Sequence, residues 1–348
     1  MTRVWEVTLG DPTLVRRARE VTEKAADAAG LDRARAGDAA LVATELATNA
    51  VKYGGGGRFV AEVCRDGWGN ASALQILLLD HGPGIPDVRR AMADGYSTGG
   101  SLGSGLGACA RASDHFEVDS VRGRGTLALA RIAATEHRHL FTAPATTGGL
   151  HLALGERPES GDGLAFRSGS GHRTVILADG LGHGAPAAVA AETAADVVRR
   201  QAGEAPETLI RLLHTELRPT RGAAVALVDV DESAHRLTFC GIGNVGARLY
   251  DGHRWESLLS RPGIVGAFGL RTPTPAVREW RPGSMLVLYT DGLPSRWSPD
   301  GIEHLAEKDA ALVAARVFRD AGSAARPLRD DTAVAVVVHT ERPHKERE

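Results

Sequence analysis

Residues 174–184 read TVILADGLGHG. A β-favouring apolar run ends in Asp179 and passes straight into glycines, which places a carboxylate where a buried strand reaches the edge of its sheet. The form recurs at 286–292, LVLYTDG, with Asp291 at the strand end. Two further acids stand beside strand signals: Asp162 in SGDG (160–163), and Asp330 in RDDT (329–332), ahead of a Val-rich run. Any one Asp-Gly at a strand end reads equally as a turn. Four together carry more, because clustered carboxylates repel one another unless cations neutralise them. Hard divalent ions prefer oxygen ligands and retain waters, and a pair of them can activate water for in-line attack on a phosphate monoester. His183, between glycines in a loop, reads as a turn residue rather than a general acid.

The first third of the chain carries a different pattern. In LVATELATNAVKY (41–53) a helical period puts Glu45, Asn49 and Lys52 on one face, beside an apolar stripe of Val42, Leu46 and Ala50. A carboxylate and an amide one turn apart can handle a hydroxyl proton and a hard cation, and can equally be a solvated polar face. Next comes LLLDHGPGI (77–85), an apolar strand ending in Asp80 and the glycines Gly82 and Gly84. An Asp there can accept from an exocyclic amine, and the glycines let a ring approach the backbone. GGSLGSGLGA (99–108) then feeds a helix, a glycine-rich lead into an N-terminus that favours phosphate. Finally Gly123-Arg-Gly125-Thr126 turns into a strand.

In this order the elements resemble the GHKL ATPase superfamily over roughly residues 1–133. Glu45 and Asn49 match its N box, Asp80-x-Gly82-x-Gly84 its first glycine box, and Gly103-Ser-Gly105-Leu106-Gly107 its second. Within the superfamily, residues 80–132 are most similar to RsbT-type serine kinases of stressosome signalling. The resemblance implies a Bergerat-type α/β sandwich binding ATP and Mg²⁺. Asn49 would chelate the ion, Glu45 would act as general base for the attacking serine, and Asp80 would read adenine. Lys52, Gly82, Gly84, Gly103, Gly105, Leu106, Gly107 and Thr126 would complete the nucleotide contacts. The short stretch ahead of the N box holds no His and leaves no room for a long dimerising helix, so a protein serine or threonine is the expected acceptor, not a histidine.

Residues 148–339 resemble SpoIIE- and RsbX-type members of the PPM family of metal-dependent serine/threonine phosphatases, which implies an α-β-β-α sandwich holding two Mn²⁺ or Mg²⁺. Carried over residue by residue, Asp179 bridges the ions and acts in catalysis, and the Gly180 carbonyl ligates one. Asp291 and Asp330 bind the second, and Asp162 orients water or lies beyond the inner ligands. Asp330, not Asp331, takes the first place of the family's Asp-(Asn/Asp) pair. The extended flap of larger members has no room in this sequence.

Composition agrees with a folded α+β chain. The 348 residues are 43% hydrophobic and 24% charged, with a net charge of −2 and 5% aromatics, so nothing favours nucleic acid. Three scattered cysteines argue against a disulfide framework or a structural zinc site. No signal pattern or membrane-length apolar run is present, and the expected location is cytoplasmic. The expected layout is a kinase-like domain over 1–133, a polar linker over 134–147, a phosphatase domain over 148–340 and a charged tail over 341–348. Helices are expected at Thr13–Ala29, from an Asp38 cap to Tyr53, at Ala185–Arg200, at Pro206–Leu217 and at Glu303–Phe318.

The combined expectation is a bifunctional regulator that writes and erases phosphate on a partner protein. By resemblance the partner is a STAS-domain antagonist or stressosome-like protein of a sigma-factor pathway. The alternative is an ATP-binding anti-sigma or partner-switching module without kinase activity, fused to an active phosphatase.

Overall fold

The computed structural model describes residues 4–66, 72–93, 105–156, 159–169, 171–201, 204–267, 269, 274–294, 296–323 and 328–339. It divides into two compact units, the first made of Met1–Ala145 with Gly322–Pro327 and the second of Thr146–Ala321 with Leu328–Glu348. Among the described residues no helix is long and apolar enough to cross a membrane.

The first unit runs β1 (Val4–Leu9), α1 (Thr13–Ala29), α2 (Arg33–Tyr53), β2 (Gly57–Arg65), β3 (Ser72–Leu79), α3 (Val88–Met92), α4 (Gly105–Ala112), β4 (His115–Val121) and β5 (Gly125–Ala133). Its antiparallel sheet has the order β1-β2-β3-β5-β4. The buried stripe of α2 (Val42, Ala43, Leu46, Ala47, Ala50) and the alanine-lined face of α1 share one core with Phe59, Ile76 and Ile132 of the sheet. Small residues on α1 and α2 let both backbones lie close, and the stripe leaves Glu45 and Asn49 half-buried along its flank.

The start of α2 differs from expectation. The cap is Asp32, whose Oδ1 accepts from the Ala34 and Arg35 amides at 2.9 and 3.0 Å. Asp38 lies inside the helix and pairs with Arg35 at 2.6 Å. Gly37 masked the true start: it sits on the exposed face, where the ~1 kcal/mol cost of glycine in a helix is tolerated. Arg35 is a buried tie. It donates to the Ala133 carbonyl at 3.0 Å and pairs with Asp114, whose side chain also takes the Ala133 amide at 2.8 Å and Arg138 at 2.6 Å.

The second unit runs β6 (Thr147–Leu152), β7 (Asp162–Gly169), β8 (His172–Gly180), α5 (Ala185–Arg200), α6 (Pro206–Glu216), β9 (Ala223–Asp231), β10 (Arg236–Ile242), β11 (Gly246–Tyr250), β12 (Trp255–Leu258), β13 (Ala276–Glu279), β14 (Met285–Tyr289), α7 (Ala310–Ala321) and β15 (Thr332–Val338). Two five-stranded antiparallel sheets form, β13-β10-β9-β8-β7 and β12-β11-β14-β15-β6. One core lies between them (Val175, Leu177, Val228, Leu286, Leu288, Val337). A second lies under α5 and α6 on the outer face of the first sheet, and α7 packs on β6 and β15 of the other. This is the expected α-β-β-α sandwich.

Alternation within β8 sends Ile176 and Ala178 to the helix side and Val175 and Leu177 between the sheets, as the period of two requires. The expected helix over Glu303–Phe318 is instead a single 3₁₀ turn, Glu303–Leu305, followed by α7. Asp309 makes the break: it is fully buried, and its Oδ1 caps the Ala311 amide at 2.9 Å.

Breaking the Arg35 tie leaves the Asp114 carboxylate buried without its main cation. Arg35→Ala is expected to lower the stability of the first unit by about 3 kcal/mol, read as faster amide exchange across α2 and β5 with exchange in β8 and β9 unchanged.

Candidate functional sites

In the first unit, Asp80 leaves the end of β3 into a nest of glycines. Its Oδ1 accepts from the amides of Gly82 at 2.9 Å and Thr126 at 3.0 Å, and its own amide donates to the Thr126 carbonyl at 2.9 Å. A methyl group on Gly54 would fall 2.9 Å from the Asp80 carboxyl carbon, and one on Gly125 would fall 2.0 Å from the Asp80 carbonyl oxygen. One on Gly82 would meet the Gly54 Cα at 2.6 Å. These glycines are therefore required by close backbone approach around one carboxylate. Gly84, at φ +74°, lies against the Val121 carbonyl of β4. The Thr126 hydroxyl meets Ser120 Oγ at 3.0 Å.

Glu45 and Asn49 face the start of α4. A methyl group on Gly105 would sit 3.0 Å from Glu45 Oε2 and 3.5 Å from Asn49 Nδ2. The backbone that opens α4 thus lies against the carboxylate and amide of α2, with Leu106 packed on the core and Gly107 buried. Glu45 also adds to the burial that pushes the Cys109 thiol up to about 12, so that cysteine is an inert packing residue. Lys52, on the last turn of α2, is exposed. Gly103, like the rest of 94–104, lies outside the described residues.

In the second unit the four strand-end acids share one cleft of about 180 Å³, lined by Asp162, Asp179, Asp291 and Asp330 together with Asp331 and Asn244. Strand register puts Asp162 directly opposite Asp179. The buried Asp162 accepts from the Thr290 hydroxyl at 2.7 Å, and that hydroxyl oxygen in turn takes the Ala333 amide at 2.9 Å. Gly180 is needed for packing as well, because a methyl group there would meet the Ala187 carbonyl of α5 at 2.1 Å. His183 is exposed and is not among the cleft-lining residues.

One cleft residue, Asn244, gives no functional signal in the sequence, and another, Asp331, is visible there only as the second acid of the pair in which Asp330 is preferred. Asn244, in the turn between β10 and β11, donates to Asp291 and also hydrogen-bonds Asp179. A lone Asn in a Gly-rich turn gives no signal beyond the turn itself. Asp331 accepts from the Leu154 amide at 2.7 Å and the Gly161 amide at 2.6 Å. Both of its oxygens are thus engaged by backbone, while the exposed Asp330 receives the Asp331 amide at 2.9 Å.

The cleft is electrostatically strained toward cations. Burial, then the neighbouring Asp291 and Asp330, raises Asp179 to about 7. Burial and Asp179 hold Asp162 well above the usual carboxylate range. Among the described residues no Lys, Arg or His lines the cleft. Among them, too, no three acidic, His or Cys side chains already converge on a single point. The donors form an open ring, which fits hard divalent ions that keep most of their waters and does not fit a closed tetrahedral site.

The sign of the pH effect follows. A carboxyl whose folded pKa lies above its unfolded value costs stability once ionised, so the metal-free protein loses the Asp179 contribution as pH rises from about 4 to about 7. Glu62, also raised to about 7 by burial, acts in the same sense, whereas His151, lowered to about 4 by burial, acts oppositely. The difference between wild type and Asp179→Asn isolates the cleft. Without divalent ions the variant is expected to melt several degrees higher at pH 7.5 and no higher at pH 4, and to lose most of the Tm gain that Mn²⁺ gives the wild type.

A family model described as a histidine kinase-like ATPase domain matches residues 9–132, and one described as Stage II sporulation protein E matches residues 169–340. Over 83 residues, 24% of this chain, the sequence is 45% identical to the serine/threonine-protein kinase RsbT of Bacillus subtilis, and the match spans 61% of that protein's length. Among solved structures, one from the bacterial stressosome is 27% identical, with a TM-score of 0.49 over 55% of this chain and 97% of its own. RsbX in complex with magnesium is 22% identical, with a TM-score of 0.47 over 55% of this chain and 92% of its own. One chain thus carries, in sequence, a match to a histidine kinase-like ATPase domain over residues 9–132 and a match to Stage II sporulation protein E over residues 169–340.

Proposed function

We propose that this chain is a bifunctional regulator that phosphorylates a serine or threonine of a partner protein with ATP and removes phosphate from phosphoserine or phosphothreonine by metal-dependent hydrolysis. The observation that carries the reading is the presence in one polypeptide of two sites of opposite sense. Glu45 and Asn49 meet the start of α4 in the first unit, and four strand-end carboxylates ring one cleft in the second. The RsbT relative supports a protein kinase over a bare nucleotide sensor.

In the kinase half, Asp80 is pre-positioned by two backbone amides to accept from the adenine amine, and the glycines around it let the ring approach. Asn49 would hold the Mg²⁺ that accompanies ATP, and the α4 N-terminus faces the phosphates. Gly103, Gly105 and Leu106 would line the phosphate path, with Lys52 at its edge. Glu45 accepts the proton of the attacking hydroxyl, which bonds to the γ-phosphorus as ADP leaves. The site works by positioning and charge neutralisation.

In the phosphatase half, Asp179, the Gly180 carbonyl, Asp291 and Asp330 would hold two Mn²⁺ or Mg²⁺. Such ions, when bound, supply an activated water and polarise the phosphoryl oxygens. Asp162, fixed by Thr290, orients that water. Asn244 holds Asp179 and Asp291 in register. The water oxygen would bond to phosphorus as the ester P–O bond breaks, and the serine or threonine oxygen would leave with the proton that the water gives up.

The partner is a STAS-domain antagonist or stressosome-like protein of a sigma-factor pathway, and the setting is the cytoplasm. Fusion raises the effective concentration of each domain at a shared target.

The test mixes the full chain with ATP, Mg²⁺, Mn²⁺ and STAS-domain proteins from the same genome, reading intact mass. A phosphoryl gain that persists only with Asp179→Asn is expected. Glu45→Ala should keep ATP affinity within about threefold while transfer drops by ~10²-fold or more. ATP binding without transfer to any candidate would replace the kinase with a partner-binding module.

A further inference from the structure

Among the described residues the acid cleft has no cation in its lining, yet one stands at its rim. Gly182, which lines the cleft, lies under the guanidinium of Arg221: a methyl group on Gly182 would fall 2.8 Å from Arg221 Nη1. At φ +94° Gly182 adopts a conformation that favours glycine, and the absent side chain leaves room for this approach.

The loop carrying Arg221 is built, not slack. The Thr220 hydroxyl donates to the Leu217 carbonyl at 2.7 Å and accepts from the Gly222 amide at 3.0 Å. The Leu181 amide donates to the Gly222 carbonyl at 3.0 Å, which ties this loop to the one bearing Gly182. Gly222, at φ +78°, packs against Ile264, which with Leu181 forms the apolar side of the cleft.

Arg221 is exposed, and among the described residues its guanidinium has no carboxylate partner. An arginine on a tied loop, set against the cleft-lining Gly182 and with no ion pair to any of the five aspartates of the cleft, is available for an anion that enters it. A phosphate monoester dianion is that anion. Its outer oxygens match the guanidinium fork, which offers parallel N–H donors that a lysine lacks.

We propose that Arg221 is the substrate-recognition residue of the second unit, taking the non-bridging oxygens of the phosphorylated side chain at the rim of the cleft. The proposal rests on the phosphatase reading for its substrate, and the exposed Leu181 beside it meets the peptide next to the phosphate.

The experiment uses the full chain loaded with Mn²⁺, with ADP saturating the ATPase domain. Hydrolysis of p-nitrophenyl phosphate and its inhibition by inorganic phosphate are followed, and calorimetry records binding of phosphate and of Mn²⁺. Arg221→Met is expected to raise KM and the phosphate inhibition constant roughly tenfold or more. Arg221→Lys should recover part of the loss, with Mn²⁺ affinity unchanged in both. An unchanged phosphate constant, or a loss of Mn²⁺ affinity in step with it, overturns the assignment. If the wild type hydrolyses nothing, the phosphatase reading fails, and calorimetric phosphate binding lost in Arg221→Met still upholds Arg221 as an anion site.

Discussion

Mutual repulsion among carboxylates held at strand ends is the constraint on which the second unit depends. β7 and β8 place Asp162 and Asp179 opposite each other by register, and the turns after β14 and before β15 bring Asp291 and Asp330 to the same cleft. The backbone hydrogen bonds of two packed sheets hold these positions, so the acids cannot relax apart. Burial first, and this crowding after it, displaces Asp162 and Asp179 upward. Bound cations would turn that crowding into a favourable interaction, which makes fold stability and metal affinity two faces of one arrangement.

The first unit solves a different problem. On the proposed reading a nucleotide base would need a carboxylate with its geometry already set, and two backbone amides and a ring of glycines set that of Asp80. The same glycines that permit ligand approach are enforced by packing of the β3, β5 and α2 termini around one another. Here the functional requirement and the folding requirement select the same residue type.

How much of this was legible in the sequence follows from the range of each signal. Strand-end acids after apolar runs, and the helix bearing Glu45 and Asn49, are local patterns, so the α+β content and the four cleft aspartates could be read from the residues, while the α-β-β-α sandwich followed from the family resemblance those motifs carry. Edge strands such as β1, β6 and β12, of four to six residues each, are too short to carry a clear pattern of their own. The α2 start was misplaced because exposed Gly37 imitated a break and Asp38 imitated a cap. Asn244 and Arg221 could not be found by pattern, since their roles come from loops folded back by distant contacts: Asn244 through Asp179 and Asp291, Arg221 through Gly182. The two oxygens of Asp331 are likewise assigned only by the Leu154 and Gly161 amides.

The most direct measurement is calorimetric titration of Mn²⁺ into the metal-free chain near pH 7, repeated in buffers of different ionisation enthalpy so that released protons are counted. The account predicts binding accompanied by proton release, because ions displace protons from carboxyls that burial and crowding hold partly protonated. Asp179→Asn should weaken the binding and reduce the protons released. No binding, or binding with no proton release and no dependence on Asp179, would contradict it.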